Sequence, residues 1–361
     1  MSLKQYLQAD TALSRMYQEI KAAGALRTVS LDLTHRCNIR CKGCYYFEEG
    51  MDRYATSEGD AALERFIQRE KERGTNFITI VGGEPSLELE RLRSLYQNFK
   101  LSVATNGLNR IPYDGLEDLP IGVAVWGDAK TDRYLRGNDK IDIFSKALDH
   151  YRGDNRAFFY YTVTPGNVSQ IEGVVRRCTD NGNKVLFNYY SDLSSLGGAF
   201  DHRMGFEEVR LEIDRMIECF PGMIFMTPYF NKVISSGELF GMKWGYEVCT
   251  NLSTNLEQNA KRFENGMPYN KHFRAYYADF VTTRRCCTGT CRDCSSCYDT
   301  WEHFSWVMVN LRKHLASRET FAQWLTTMYL FYVINRLVDQ DKGMKLLTSY
   351  IQEHEWDVVR S

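Results

Sequence analysis

The chain has 361 residues, of which 43% are hydrophobic and 25% charged, so it is long enough to bury a large core. Its 45 lysines and arginines nearly balance its 46 aspartates and glutamates, which excludes a global field that draws a protein onto nucleic acid or anionic lipid. We therefore expect a small-molecule substrate, with neither nucleic acid nor membrane as a partner.

The cysteines indicate metal binding in a reducing compartment. The N-terminal residues lack the basic-then-apolar pattern of a secretory signal, which predicts a cytoplasmic location. In that compartment, clustered cysteines bind metal more often than they form disulfides. Of the eleven cysteines, three lie at 37–44 and five at 286–297. The remaining three, Cys178, Cys219 and Cys249, are scattered and are interpreted as small buried hydrophobes.

Along the chain, helical spacing over residues 3–24 predicts an N-terminal helix, and a repeat of strands and helices follows. Strands alternating with amphipathic stretches predict parallel βα units. Six units are too few to close an eight-unit barrel. The predicted fold is therefore α/β, a partial (β/α)6 TIM-like barrel with a C-terminal cysteine-rich α extension. The predicted strands are 29–33, 77–81, 101–104, 121–125, 158–163 and 184–189.

The βα repeat stops near residues 194–198, and 206–220 predicts a helix that leaves the barrel. Two further helices are predicted near 303–316 and 319–340. The apolar stretch 324–338 contains threonine, asparagine and arginine, and is shorter than the roughly 18 apolar residues of a spanning helix, so we expect it to be buried. The predicted organisation is an N-terminal helix at 1–24, the barrel at 25–220 and the extension at 221–361.

Cys37, Cys41 and Cys44 follow the first predicted strand with C-x3-C-x2-C spacing. A four-iron cluster held only by protein needs four thiolates, so three thiolates leave one iron open to a cofactor or substrate. A structural zinc site is normally closed by four ligands, and zinc with His35 as the fourth ligand is the local alternative.

This cysteine loop resembles the hallmark motif of the radical S-adenosylmethionine (SAM) superfamily, and the resemblance covers about residues 28–190. It implies that Cys37, Cys41 and Cys44 are the catalytic and metal-binding residues of a [4Fe–4S] cluster whose open iron binds SAM. It also implies reductive cleavage of SAM to a 5′-deoxyadenosyl radical, with a flavodoxin or ferredoxin-type electron donor. Members often carry an aromatic residue where Gly43 stands here, so adenine packing is expected from Tyr45 or Tyr46.

The turn Gly82, Gly83, Glu84 and Pro85 follows the second predicted strand and resembles the superfamily's glycine-rich motif. The resemblance implies hydrogen bonds to the amino group of SAM. Glycine allows the backbone to approach a ligand closely, and a carboxylate accepts from an ammonium group. A plain turn is the alternative interpretation.

Two further turns are candidates for binding the cofactor. Thr105 and Asn106 close the third strand and look like the ribose-side turn of many relatives, whereas Thr164 and Asn167 follow the fifth strand and are candidates for the methionine carboxylate or the ribose. Ordinary turn chemistry accounts for both turns as an alternative.

The second cysteine cluster has five thiols in twelve residues. Cys287, Cys291, Cys294 and Cys297 have C-x3-C-x2-C-x2-C spacing, which is a complete ligand set for an auxiliary [4Fe–4S] cluster, with zinc as the alternative. Cys286 is then spare or exchanges with Cys287. The cluster resembles the superfamily's SPASM/twitch-like C-terminal extensions, although its spacing does not reproduce their common forms.

The resemblance implies a radical SAM enzyme, and the leading hypothesis is hydrogen abstraction from a small polar metabolite such as a sugar, nucleoside or natural-product intermediate. The 24 residues before the barrel are too few for a peptide-leader-binding domain. The alternative is a maturase of a ribosomal peptide or protein, which the aromatic-rich residues 269–280 would suit. A non-catalytic iron–sulfur or zinc protein leaves the turns at the strand ends unexplained.

Overall fold

The computed structural model describes residues 2–56, 58–191, 205–289 and 294–354. Within these residues, one sheet contains eight strands and a second contains two. The strands are β1 (Thr28–Asp32), β2 (Phe77–Val81), β3 (Lys100–Thr105), β4 (Ile121–Val125), β5 (Ala157–Val163), β6 (Lys184–Tyr189), β7 (Glu238–Leu239), β8 (Met242–Lys243), β9 (Ala275–Tyr276) and β10 (Thr283–Arg284).

The large sheet has the order β10-β9-β1-β2-β3-β4-β5-β6, and β1 to β6 pair in parallel with their neighbours. All six predicted strands are present, each within about one residue of its predicted ends. Their side chains are mostly buried, as expected for parallel strands covered on both faces. The predicted α/β class, with a partial TIM-like barrel and a cysteine-rich helical extension, is confirmed.

Helices cover the sheet and form most of the C-terminal part. They are α1 (Leu3–Ala9), α2 (Thr11–Ala23), α3 (Tyr45–Glu48), α4 (Asp60–Glu72), α5 (Leu89–Tyr96), α6 (Ala129–Arg136), α7 (Ile143–His150), α8 (Ile171–Asp180), α9 (Phe206–Cys219), α10 (Pro228–Ser236), α11 (Ala260–Glu264), α12 (Thr300–Val309), α13 (Leu311–His314), α14 (Arg318–Ile334) and α15 (Gln340–Glu353). None of the described helices combines the length and apolarity needed to cross a membrane.

The N-terminal helix predicted over residues 3–24 is two helices, because Asp10 ends α1 and begins α2. The Asp10 carboxylate accepts hydrogen bonds from the backbone N–H groups of Ala12 and Leu13, both at 3.0 Å, which is a typical N-cap. It also pairs with Arg318 of α14 at 3.0 Å. Helical spacing alone did not predict this break.

The C-terminal helices agree with the predicted positions but are more numerous. The helix predicted over 303–316 is α12 followed by α13, and the one predicted over 319–340 is α14, which ends at Ile334. Helix α14 is buried on most of its surface, as expected for its apolar sequence. Helix α15 was not predicted.

Residues from the C-terminal part extend the barrel sheet. Strand β9 pairs in parallel with β1, and β10 pairs antiparallel with β9. Because these two strands from beyond residue 220 belong to the barrel sheet, the predicted division of the chain at residue 220 stays a prediction. The predicted break near 194–198 lies outside the described residues.

A buried ion pair joins β10 to β1 at this edge. The Arg284 guanidinium donates to both carboxylate oxygens of Asp32, at 2.8 and 2.9 Å, and both side chains are 1% exposed. Burial raises the pKa of Asp32 to about 6, although the Arg284 charge opposes that shift. Arg284 Nε also lies 3.2 Å from the carbonyl oxygens of Cys286 and Cys287. One side chain thus connects the first strand to the second cysteine cluster.

Replacing Arg284 with methionine should lower the free energy of unfolding by about 3–5 kcal/mol, because Asp32 would stay buried without a partner. The matched control is Arg176→Met, which breaks an exposed pair with Glu172 and should change the free energy of unfolding far less, because solvent screens that pair. Urea denaturation of the metal-free variants measures both changes. Equal losses in the two variants would contradict the importance of the buried pair.

Candidate metal centres

The first cysteine loop lies at the carboxyl edge of the sheet. It runs from the end of β1 to α3, and its thiols, on Cys37, Cys41 and Cys44, are free and partly exposed. Each of these three thiols lies within electrostatic range of one of the other two. The backbone N–H of Lys42 donates to the carbonyl of Leu135 at 2.8 Å and so fixes the loop against α6.

Burial raises the pKa of Cys37 and Cys41 to about 11, and it also raises the pKa of Cys44. Three adjacent thiolates in this environment therefore need a cationic centre to be stable. Two N–H donors already face the sulfurs. Asn106 Nδ2 lies 3.9 Å from Cys37 Sγ, and the Arg136 guanidinium hydrogen-bonds Cys41.

Arg136 is 1% exposed and held in one position by three acceptors. It donates to Asp132 Oδ2 at 2.9 Å, and to the carbonyl oxygens of Ala124 and Asn106, both at 2.7 Å. Arg136 therefore connects the third and fourth strand ends to the cysteine loop. The role of Arg136 is to position these groups and to place positive charge near the thiols.

The two glycines of the Gly82–Pro85 turn allow the cysteine loop to pack closely. Gly82 has φ of +109°, and a side chain on Gly83 would overlap the carbonyl of Arg36. The N–H of Gly83 donates to Thr34 O at 3.0 Å, and the N–H of Glu84 donates to Arg36 O at 2.8 Å. The sequence predicted that the glycines let the backbone of this turn approach a ligand closely. In the structure, the backbone of the turn lies close to the start of the cysteine loop. Whether the turn also binds SAM stays a prediction.

Glu84 contacts two other predicted site residues, Thr105 and Asn106. Its buried carboxylate accepts from Thr105 Oγ1 and from the backbone N–H of Asn106, both at 2.7 Å, and from the N–H of Ser86 at 2.9 Å. Pro85 is buried at the start of the short helical turn Pro85–Leu87. The carboxylate thus holds the β2 and β3 ends together.

A pocket of about 530 Å³ opens at the carboxyl ends of β4, β5 and β6. Thr164 and Asn167 both line it, as do Trp126 and Tyr190. Asn167 Oδ1 accepts from the N–H of Thr164 at 2.8 Å, so these two residues also form their own turn. The pocket is large enough for a nucleoside-sized ligand.

The aromatic residues near the first loop lie in different surroundings, and adenine packing by Tyr45 or Tyr46 stays a prediction. Tyr46 is buried and donates to Thr34 O at 3.1 Å, and Tyr45 lines a different cavity. Tyr190, which the sequence analysis missed, donates to Gly43 O at 3.2 Å and packs edge-on against Trp126. A side chain on Gly43 would overlap the Tyr190 hydroxyl. Tyr190 therefore occupies the space of an aromatic residue at position 43, and its place directly after the sixth strand was the available signal.

The second cysteine cluster packs against α12. Cys287 Sγ lies 2.8 Å from Glu302 Oε1, and Cys294 and Cys297 lie on one short turn in which the N–H of Cys297 donates to Cys294 O at 3.2 Å. Burial raises the pKa of Glu302 to about 8. The predicted ligand Cys291 lies outside the described residues.

A cavity of about 420 Å³ lies between the second cluster and the first two strands of the barrel. Its wall includes Tyr45 near the first cysteine loop, and Cys287, Asp299 and Glu302 at the second cluster. Aromatic and apolar side chains from α12 and α14 form much of the remaining lining, including Trp301, Met308 and Phe331. The cavity therefore connects the neighbourhoods of the two cysteine clusters.

Comparisons with known proteins support an iron–sulfur assignment. A family described as a 4Fe-4S single cluster domain matches residues 25–112. A protein of Archaeoglobus fulgidus described as uncharacterized is 25% identical over 221 residues, which are 59% of this chain and 53% of that protein. The pre-heme d1 synthase of Dinoroseobacter shibae is 27% identical over 167 residues, which are 42% of this chain and 40% of that protein. The chain thus spans about half the length of these curated relatives, or less.

A solved structure of native anSMEcpe with bound AdoMet and the Cp18Cys peptide has the same fold. It is 16% identical, has a TM-score of 0.50, and covers 88% of this chain and 99% of its own. The cysteine motif, the 4Fe-4S family match and the fold agree with one another. They support the expected radical SAM iron–sulfur class, whose expected cofactors are a [4Fe–4S] cluster and SAM with an auxiliary cluster.

Glu84→Gln should lower the free energy of unfolding by about 1–3 kcal/mol, because the new amide group faces hydrogen-bond donors and leaves at least one of them unsatisfied. Glu90→Gln is the control, since the Glu90 side chain is 93% exposed. Denaturant titration of both metal-free variants measures the difference. If the two variants are equally stable, the carboxylate does not organise the strand ends.

Proposed function

We propose that the chain cleaves SAM reductively at a [4Fe–4S] cluster held by Cys37, Cys41 and Cys44, and removes a hydrogen atom from an organic substrate. The observation that carries this proposal is the arrangement of three thiols on one loop at the carboxyl edge of a partial barrel, with N–H groups of Asn106 and Arg136 facing two of them. When bound and reduced, the cluster supplies the electron that breaks the sulfonium bond of SAM.

The protein's own residues would then stabilise the thiolates and bind the nucleoside part of SAM. Asn106 and Arg136 place N–H groups at the sulfurs, which stabilises thiolates over thiols. The 530 Å³ pocket beside the loop is the proposed nucleoside site, with the rings of Trp126 and Tyr190 available to pack against adenine. Thr164 and Asn167 line the same pocket, which supports their predicted part in binding SAM.

For the substrate, we favour a small metabolite bound in the 420 Å³ cavity. The volume lies within the range of small-molecule sites. Asn270 and Lys271 give one part of the wall polar groups, while the aromatic lining gives another part an apolar surface. A molecule with both a polar and an apolar part fits this wall better than a purely polar sugar.

A maturase of a peptide or protein is the second candidate. The observation that favours it is the fold shared with anSMEcpe, whose solved structure holds a peptide. Deuterium transfer distinguishes the two. A substrate deuterated at the reacting carbon should give labelled 5′-deoxyadenosine, and testing metabolites and peptides in parallel identifies the class.

An electron donor of the flavodoxin or ferredoxin type is the proposed redox partner, because a cluster of this kind must be reduced before each cleavage. We also propose a cytoplasmic location. Cys37, Cys41 and Cys44 of the first loop are present as thiols, and reduced thiols suit the cytoplasm.

Replacing Cys37, Cys41 and Cys44 together with alanine should reduce SAM cleavage to background, because the cluster would lose all its protein ligands. The control is Cys219→Ala, which removes an exposed thiol away from both clusters and should retain full cleavage. The assay is release of 5′-deoxyadenosine by anaerobically reconstituted, dithionite-reduced protein. Cleavage that persists in the triple variant would exclude this loop as the active site, and its absence in the unmodified protein would favour a non-catalytic role.

A further inference from the structure

Cys249 lies beside the second cysteine cluster although 36 residues separate it from Cys286 in the sequence. The segment that follows it runs antiparallel to the strand end before the cluster. Leu252 forms an isolated antiparallel bridge with Cys286, and the N–H of Ser253 donates to Arg285 O at 2.8 Å. This pairing brings the Cys249 backbone to the cluster.

The Cys249 thiol and its backbone are both held in place. Cys249 Sγ lies 3.8 Å from Glu302 Oε2, while the other oxygen of the same carboxylate lies 2.8 Å from Cys287 Sγ. Arg262 Nη2 donates to the carbonyl of Cys249 at 3.2 Å, and Arg262 itself is 1% exposed. Cys249 also lies within electrostatic range of Cys286 and Cys297.

Cys178 shows what an ordinary buried cysteine looks like in this chain. It is fully buried in α8, where the charge of Arg177 acts on it, and among the described residues its electrostatic neighbours include no thiol and no carboxylate. Cys249 is buried to a similar extent but lies among thiols and a carboxylate. Packing alone therefore accounts for Cys178 but not for the surroundings of Cys249.

Cys286 and Cys287 differ in their exposure to the cavity. Cys287 lines the 420 Å³ cavity, and its sulfur lies within 4.8 Å of carboxylate oxygens of Asp299 and Glu302. Cys286 is not among the residues lining that cavity and lies within electrostatic range of Glu302 and Cys294, whereas Cys287 lies within range of Cys286 and Cys297. Both residues therefore have thiol neighbours, and exposure to the cavity is what distinguishes Cys287 from Cys286.

We propose that Cys249 and Cys286 join Cys294 and Cys297 as ligands of the second metal centre, and that Cys287 lies outside this ligand set at the cavity wall. This assignment rests on the auxiliary centre of the proposed function and removes Cys287 from its predicted ligands. It places Cys287, with Asp299 and Glu302, between the second centre and the proposed substrate.

The test uses protein in which Cys37, Cys41 and Cys44 are already alanine, so that any bound metal belongs to the second centre. This background should hold about four iron atoms per chain after anaerobic reconstitution, if the centre is a four-iron cluster. Adding Cys249→Ala or Cys286→Ala should reduce the iron to near zero. Adding Cys287→Ala or the control Cys178→Ala should leave it at about four. Iron and zinc are both quantified, and loss of one zinc in the same two variants supports the same ligands.

The electron paramagnetic resonance (EPR) spectrum of the reduced centre provides a second readout. Cys249→Ser offers an oxygen ligand of similar size, so it should shift the spectrum, whereas Cys178→Ser should not. Circular dichroism establishes that each variant is folded before its metal is counted. Full metal content and an unchanged spectrum in the Cys249 variants would overturn this assignment alone. A background protein that binds no metal would instead remove the auxiliary centre from the proposed function.

Discussion

The buried pair between Asp32 and Arg284 is the interaction on which the arrangement of both cysteine clusters depends. Asp32 is the last residue of β1, five residues before Cys37, and Arg284 is the last residue of β10, two residues before Cys286. Their bidentate contact crosses 252 residues of sequence. A guanidinium matches a carboxylate in this geometry in a way that lysine cannot. The pair therefore holds the end of β10, two residues before Cys286, against the end of β1.

The consequence for function lies in two groups of positioned residues. Glu84, Asn106 and Arg136 hold the first thiol loop against the strand ends, and the 420 Å³ cavity has Tyr45 in its wall together with Cys287 and Glu302. Each of these groups is fixed by at least one hydrogen bond or by packing in the described residues. Under the proposed function, side chains held in this way would orient a substrate relative to the first loop.

Features encoded within short segments were predictable, and features that depend on distant contacts were not. The six strands, the cysteine motif and the turns at Glu84 and Asn106 follow from local patterns, since apolar runs and turn residues act over a few positions. Tyr190 was missed because its contact with Gly43 joins residues that are remote in sequence, and the proximity of Cys249 to Glu302 could not be predicted for the same reason. The break at Asp10 was missed because one capping carboxylate overrides the helical spacing on either side.

The proposed cleavage of SAM requires that a cluster at Cys37, Cys41 and Cys44 have one iron without a protein ligand. The most direct measurement is the EPR spectrum of the reduced protein with and without SAM, recorded on a variant whose second centre has been removed. We expect SAM to shift the spectrum of the remaining cluster, because the amino and carboxylate groups of SAM would bind the open iron. A spectrum that SAM leaves unchanged, from a cluster ligated by four side chains, would exclude the proposed cleavage at this loop.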